Sequence, residues 1–414
     1  MISPVDTLLV VFCTALVMLM TPALGLFFGG MVRRKNVLAT FQGCFILLGA
    51  VALQWLVVGH GLAFGRGAAG GWIGVPGGAM LGFSFAPDAG FAATIPQPVF
   101  LLFELTVAVF AAALISGAVV ERVRFGPMTV FILGWTTLVY DPVAHWVWAP
   151  DGWLKKLGVH DFAGGLVVHA TAGVAALCCA LILGKRRGLD SENLHPHNLT
   201  LTAIGSGLLW FGWIGLNTAH AWKVSPSMVA ALAATILGGG AGMIAWSLIE
   251  QLQKGKVTLL GTCTGAVAGL VGVSPAAGYV TPLGASAIGL VVSALCYAAV
   301  AAKRRLGYDD SLDVFGVHGV GGVAGLIAVG LLADPAIDAE VVGLFQGNAD
   351  LIAVQLVGAG VVAAYTFVVT AGLLIAVDRL LGLRATPEAE ELGLDLAEHG
   401  QRGYILGEGE RLGA

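Results

Sequence analysis

The sequence predicts an all-α integral membrane protein of eleven transmembrane helices, with helices 1 to 5 repeated in inverted orientation as helices 6 to 10. Three observations predict it. Hydrophobic residues fill 57% of the 414 positions and charged residues only 11%, with a mean hydropathy of +0.88, whereas a soluble domain carries about 25% charged residues. Apolar stretches of the roughly 18 residues or more that cross a bilayer can be placed eleven times. Lysines and arginines collect in alternate connections.

The first span, 5 to 31, begins in MISPVDTLLVV, which has no basic region before its apolar core and no cleavage site, so it reads as a retained helix rather than a signal peptide. Arg33, Arg34 and Lys35 follow it. Span 40 to 64 leads to Arg66 on the other side, and span 96 to 120 returns to Arg122 and Arg124. Span 125 to 145 ends in HWVWAP, ahead of Lys155 and Lys156. Span 161 to 184 ends at Lys185, Arg186 and Arg187. Span 198 to 220 closes in GWIGLNTAHAW before Lys223, and span 226 to 250 precedes Lys254 and Lys256. Span 257 to 273 is short and glycine-rich. Span 282 to 302 meets Lys303, Arg304 and Arg305, span 314 to 333 crosses back, and span 350 to 382 leads to Arg379, Arg384, Arg402 and Arg411. Seventeen of the 21 basic residues therefore share one side, and the positive-inside rule puts the amino terminus outside and the carboxyl terminus in the cytoplasm. The chain divides into a transmembrane domain, 1–383, and a tail, 384–414, whose Glu388, Glu390, Glu391, Asp395, Glu398, Glu408 and Glu410 make it soluble. An unfused, glycine-rich chain of this kind suits a prokaryotic plasma membrane.

Enzyme chemistry has no support: no metal motif, nucleophile constellation or cofactor loop is present, and no cofactor, metal or nucleic-acid partner is expected. The net charge of −4 points to neither an acidic nor a basic partner. All six cysteines lie in apolar spans without metal-ligand spacing and read as packing residues. The glycines of GGGAG (238 to 242) and GVGGVAG (319 to 325) lack the strand and helix that flank a phosphate loop. They read instead as close-approach points between helices in lipid.

Two stretches resemble one another. DFAGGLVVHATAGVAAL from Asp161 and DVFGVHGVGGVAGLIAVGL from Asp313 both begin at an acid and place His169 and His318 before an H-x-x-x-G-x-A-x-L pattern. One opens the fifth span and the other the tenth, and five helices per repeat invert the second copy, so the two histidines are expected to meet near mid-membrane. A lone buried histidine is commonly a packing residue. Two at corresponding places in inverted halves, where an ionisable group is costly, point to a site.

At these residues the chain resembles the ammonium transporter (Amt/Rh) family. The likeness rests on GLFFGGMVRRKNVL (25 to 38), ERVRF (121 to 125), DFAGGLVVH (161 to 169), PHNL (196 to 199), LLGTCTGAVAGLVGVSPAAGY (259 to 279), DVFGVHG (313 to 319) and the LGLD and HG of the tail (392 to 400). It implies a homotrimer with one pore per subunit, and His169 and His318 as the pore's histidine pair. Trp148 matches the aromatic that covers the outer cation site, Asp161 the acid that supports that site, and Phe103 an aromatic of the vestibule. GKRRGLDSENLHPHN (184 to 198) resembles the loop that contacts the PII signal protein, with His195 and His197 read as exposed. The tail is expected to pack on the loops of a neighbouring subunit or to be a mobile end.

Four positions depart from the family. Val107 and Leu216 stand where two stacked phenylalanines close the outer mouth, His220 replaces the serine that bonds the recruited cation, and Glu104 replaces a glutamine. The smaller gate residues predict a wider mouth without aromatic faces. Glu104, a carboxylate costing roughly 2.5 to 3.5 kcal/mol in the membrane, needs a partner, and His220 is the candidate if the two lie within about 4 to 6 Å. The pair is either a locked structural bridge or part of an altered selectivity site. The functions that follow are transport of ammonium past the histidine pair, transport of a larger methylated or quaternary cation such as choline through the widened gate, or an ammonium receptor without flux.

Overall fold

The computed structural model describes residues 1–66, 69–75, 84–189 and 194–404, and among them there is no β-strand. The long helices are α1 (Pro4–Met31), α2 (Val37–Gln54), α3 (Gln97–Val119), α4 (Phe125–Trp135), α5 (Thr171–Leu183), α6 (Leu199–Ala219), α7 (Pro226–Lys254), α8 (Leu259–Val273), α9 (Pro282–Leu306), α10 (Val320–Leu332) and α11 (Asp350–Leu381). Their starts carry expected signals: Ser3, Ser225 and Thr281 cap α1, α7 and α9 through their hydroxyls, each followed by proline in the first turn. Four π-helical turns interrupt or precede them, at Trp55–Gly59 after α2, Thr136–Tyr140 after α4, Gly165–Ala170 before α5 and Phe315–Gly319 before α10.

Ten helices among the described residues are long and apolar enough to cross a membrane. The helical path from α4 through its π turn to Asp141–Trp148 is not among them. It carries the fully buried Asp141 and His145, which lower its hydropathy. The span most doubtful in length, α8, runs on to Ala276, and 78% of it is buried inside the protein. Burial orders the helices into two shells. Gly165–Leu183 is 83% buried and α3 78%, whereas Arg34–Phe64 and α11 are only 22% and 28% buried and present aliphatic side chains outward.

Helix α1 packs along α6, and α7 against α8 and α9. The contact that matters most for the site joins the two segments expected to repeat. A Cβ on Gly173 would run into the backbone of Gly319, and one on Gly322 would press on His169 Cβ at 3.0 Å. Only hydrogen at these positions lets the two backbones touch and bring His169 beside His318. Gly173→Ala is expected to cost about 1 to 3 kcal/mol through overpacking, read as a lower melting temperature of the purified protein.

The two histidine segments match in a different register from the one their leading acids suggest. Asp161 lies eight residues before His169, and the acid eight residues before His318 is Asp310, not Asp313. Asp161 accepts four backbone N–H bonds at the entrance of its π turn, from Gly164, Gly165, Leu166 and Val167, at 2.8 to 3.0 Å. Asp310 accepts the N–H of Phe315 at 2.7 Å in the matching place. Asp313 has φ 62° and pairs with Lys303 instead. Unsatisfied N–H groups at a helix start attract a carboxylate, so the capping acid marks the true correspondence.

On the basic face, the tail folds over loops of its own chain. Asp395 accepts the N–H of Ala39 at 2.8 Å, Asn36 Oδ1 accepts that of Leu394 at 2.8 Å, Glu398 accepts that of Phe125 at 3.0 Å, and Glu390 holds Arg384 at 2.9 Å while accepting Arg187 N–H at 3.2 Å. Up to Tyr404 the tail is therefore held by an intramolecular clasp rather than left as a free end. Glu408, Glu410 and Arg411 lie outside the described residues, as do residues 190–193 of the loop resembling a PII contact. His195 is exposed, but His197 is half-buried between Val32 O (2.9 Å) and the Tyr404 hydroxyl (3.1 Å), unlike the exposed position expected of it.

Candidate functional site

Two cavities approach each other from opposite faces. The one on the face away from the basic loops has a volume of about 590 Å³ and reaches down to Glu104, Trp148, Asp161 and His220. The other, on the basic face, has a volume of about 400 Å³ and ends at His318. Between them α3 and α6 supply residues in layers three or four positions apart along each helix, about 4.5 to 6 Å per step. The first layer is Glu104 and His220, the second Val107 and Leu216, and the third Phe110 and Trp213, which lie against His169.

In the third layer His169 Nδ1 and His318 Nδ1 are 3.2 Å apart and both residues are buried. One nitrogen must donate and the other accept, so the pair shares a single proton between them and the rings hold opposite tautomers. Trp213 stacks on His169 at 5.2 Å and 26°, and its indole N–H donates to Ser274 Oγ at 2.8 Å, which fixes the ring plane. Phe110 closes the side, edge-on to both rings. His169 Nε2 is buried without a hydrogen-bond partner. The result is a pair of polar rings enclosed by aromatic side chains between the two cavities.

The second layer is closed: Val107 and Leu216 are both 0% exposed, and neither lines the vestibule above. In the first layer Glu104 Oε1 stands 4.0 Å from His220 Nε2, and Glu104 Oε2 has no hydrogen-bond partner. His220 donates its Nδ1–H to Leu216 O at 2.7 Å. Its ring is surrounded by Phe103 at 5.2 Å, Trp148 at 5.3 Å and Trp222 at 5.7 Å. Asp161 supports this layer through its carbonyl, which accepts the Trp148 indole N–H at 2.9 Å, while its carboxylate organises the turn leading to His169. The nine residues singled out in the sequence thus lie in or beside these three layers.

The matching family model is the Ammonium Transporter Family, over residues 8–404. The chain belongs to the ammonium transporter family. It is 45% identical to an ammonium transporter of Bacillus subtilis over 405 residues, covering 96% of this chain and 98% of that one. With an ammonium transporter of Aquifex aeolicus it shares 41% over 398 residues, covering 95% and 92%. The structure superposes on Candida albicans Mep2 with a TM-score of 0.88 at 34% identity, covering 96% of this chain and 90% of that one. On a sensor Amt protein the TM-score is 0.85 at 27% identity, covering 95% and 98%. This family member is accordingly a multi-pass membrane protein and a transporter rather than an enzyme.

Several residues at this transporter's candidate site escaped sequence reasoning. Trp213 and Trp222 belong to the stretch GWIGLNTAHAW that drew attention through Asn217 and His220, yet apolar periodicity does not separate a site aromatic from a packing one. Asn217 itself donates to Thr235 Oγ1 at 2.9 Å and serves helix packing. Tyr140, fully buried with an unpartnered hydroxyl, lies within electrostatic reach of Glu104 and Asp161. The π turn that places it has no signal in the residue pattern.

Proposed function

We propose that this chain conducts ammonium nitrogen across the membrane through the passage holding His169 and His318. The 3.2 Å contact between their Nδ1 atoms carries this reading. A desolvated amine in an apolar passage needs hydrogen-bond partners at each step, and two neutral imidazoles in opposite tautomers supply both a donor and an acceptor. Trp148, Phe103 and Asp161 would receive and position the cation above, and a proton left behind would pass separately along the ring nitrogens. Eleven helices, counting the path Phe125–Trp148, would form each pore, three chains would assemble as a homotrimer, and the basic face with its tail clasp would lie in the cytoplasm, open to a PII protein.

A second reading is favoured by one observation: a carboxylate oxygen of Glu104 lies unpartnered in the layer where three aromatic rings surround the neighbouring His220. A charge plus aromatic faces is the chemistry that recognises methylated and quaternary ammonium. Transient currents from the purified protein in liposomes separate the two. The first reading expects current for ammonium and methylammonium and none for trimethylammonium or choline at matched concentration and pH. Current for the bulky cations with little for ammonium would overturn it, and restoring glutamine at 104 and phenylalanine at 107 and 216 would then be expected to exclude them.

A further inference from the structure

The vestibule floor holds a side chain where an incoming cation would sit. The imidazole of His220 fills the space between Phe103, Trp148 and Trp222, with Glu104 at 4.0 Å. Aromatic faces beside a carboxylate are the surroundings that hold an ammonium group. The third wall is built at a cost, since Trp222 has φ 58°, a left-handed conformation that a bulky residue adopts only when its surroundings impose it. The ring is also tethered, through Nδ1–H to Leu216 O at 2.7 Å.

We propose that His220 is a built-in occupant of the outer cation site, an internal competitor that an external ammonium ion must displace from the cage. This rests on the reading of the vestibule as the entry for a cation. Because Nδ1 already carries the proton given to Leu216, an added proton goes to Nε2, the nitrogen that faces Glu104. The ring then becomes a cation in an aromatic cage beside a carboxylate, and leaves it less readily. External protons and substrate therefore compete. The other titratable groups around the ring are Asp161, Tyr140 and Tyr279, and at the rim of the vestibule Lys155, Lys223, Asp338 and Glu340. Of the carboxylates, Glu104 is the one that stands 4.0 Å from His220 Nε2.

The sign follows from population arithmetic. Binding needs the vacated cage, and below the pH at which the ring is half-charged each further unit removes the competent fraction about tenfold, weakening apparent affinity in proportion. The test is equilibrium binding of labelled methylammonium to the purified full chain from about pH 5 to pH 8, the range in which imidazole changes charge, alongside current in liposomes. Wild type is expected to bind more weakly as pH falls. His220→Ser, which empties the cage, is expected to bind several-fold more tightly and without the pH slope. His220→Phe, which refills it with an uncharged ring, is expected to bind weakly at every pH. Either variant that elutes as the wild type does is sufficient. Weaker or absent binding in H220S, or a pH-independent wild type, overturns the proposal. Binding that follows the pattern without current keeps the competitor and removes the transport reading, and current with pH-independent binding that H220S leaves unchanged does the reverse.

Discussion

His169→Leu and His318→Leu are each expected to lower ammonium current in liposomes by about a hundredfold, with the variants still folded. Leucine fills most of the volume of the ring, so the packing around Trp213 and Phe110 survives. It leaves the other histidine's Nδ1 buried without its partner at 3.2 Å and removes one of the two polar rings between the cavities. An unmade hydrogen bond in a dry site costs about 1 to 3 kcal/mol, and each 1.36 kcal/mol on a barrier is a factor of about ten in rate. The loss should fall on the maximal current rather than on the concentration for half-saturation, because both residues lie two layers below the vestibule. A loss confined to half-saturation in either variant would remove the pair from the conduction path. Undiminished current in both would remove the reading altogether.

Arg186→Ala is expected to have the largest effect on stability, about 3 to 5 kcal/mol, because removing one partner of a buried ion cluster leaves the others uncompensated. The guanidinium of Arg186 grips Asp309 with Nε at 2.9 Å and Nη2 at 3.0 Å, and reaches Glu121 with Nη1 at 3.2 Å. Glu121 also accepts the N–H of Arg33 at 2.8 Å and the amide of Asn36 at 3.0 Å, and these bonds hold it at φ 70°. Asp309 and Glu121 are each 2% exposed. One planar fork thus ties together the connections after α1, α3, α5 and α9. Arg186→Lys cannot reproduce the fork and is expected to fall nearer to alanine than to the wild type. Thermal unfolding in detergent measures both, and an unchanged melting temperature in R186A would refute the role.

The same cluster sets an acid limit. Burial alone would raise the Glu121 and Asp309 carboxyls, but Arg186, with Arg33 at Glu121 and Arg122 at Asp309, outweighs it, and both stand below their ordinary values. Burial alone would likewise lower the Arg186 guanidinium, but the bonds and charges of Asp309 and Glu121 hold it above its usual value. For carboxyls depressed by folding, the stabilisation is complete above their unfolded values, near pH 4, and is lost as pH falls through the folded ones. The melting temperature should therefore be flat in this respect from neutral pH down to about pH 4 and drop below it. The slope should shrink in Asp309→Asn.

The apolar spans were legible in the residues because a bilayer leaves few alternatives: twenty consecutive apolar residues have to bury their backbone polar groups in a helix. His169, His318, Glu104 and His220 were legible for the complementary reason, that polar side chains are rare and costly there. The register of the second half was not, because Asp310 and Asp313 are both acids ahead of a helix and only a π turn's unsatisfied N–H groups distinguish them. Nor was the Arg186 cluster, whose members are 65 residues apart at Glu121 and 123 at Asp309.

Local composition, read alone, determined the class, the helices and the type of residue at the candidate site, since each depends on side chains meeting lipid or each other within a few turns. Tertiary structure decided what those residues face. Glycine contacts between Gly173 and Gly319 brought the histidines to hydrogen-bonding distance, the tail closed on its own chain, and the ring of His220 stands above the gate positions where smaller residues predicted a wider mouth. Such outcomes depend on which distant backbones can touch, a three-dimensional property that no stretch of sequence carries by itself.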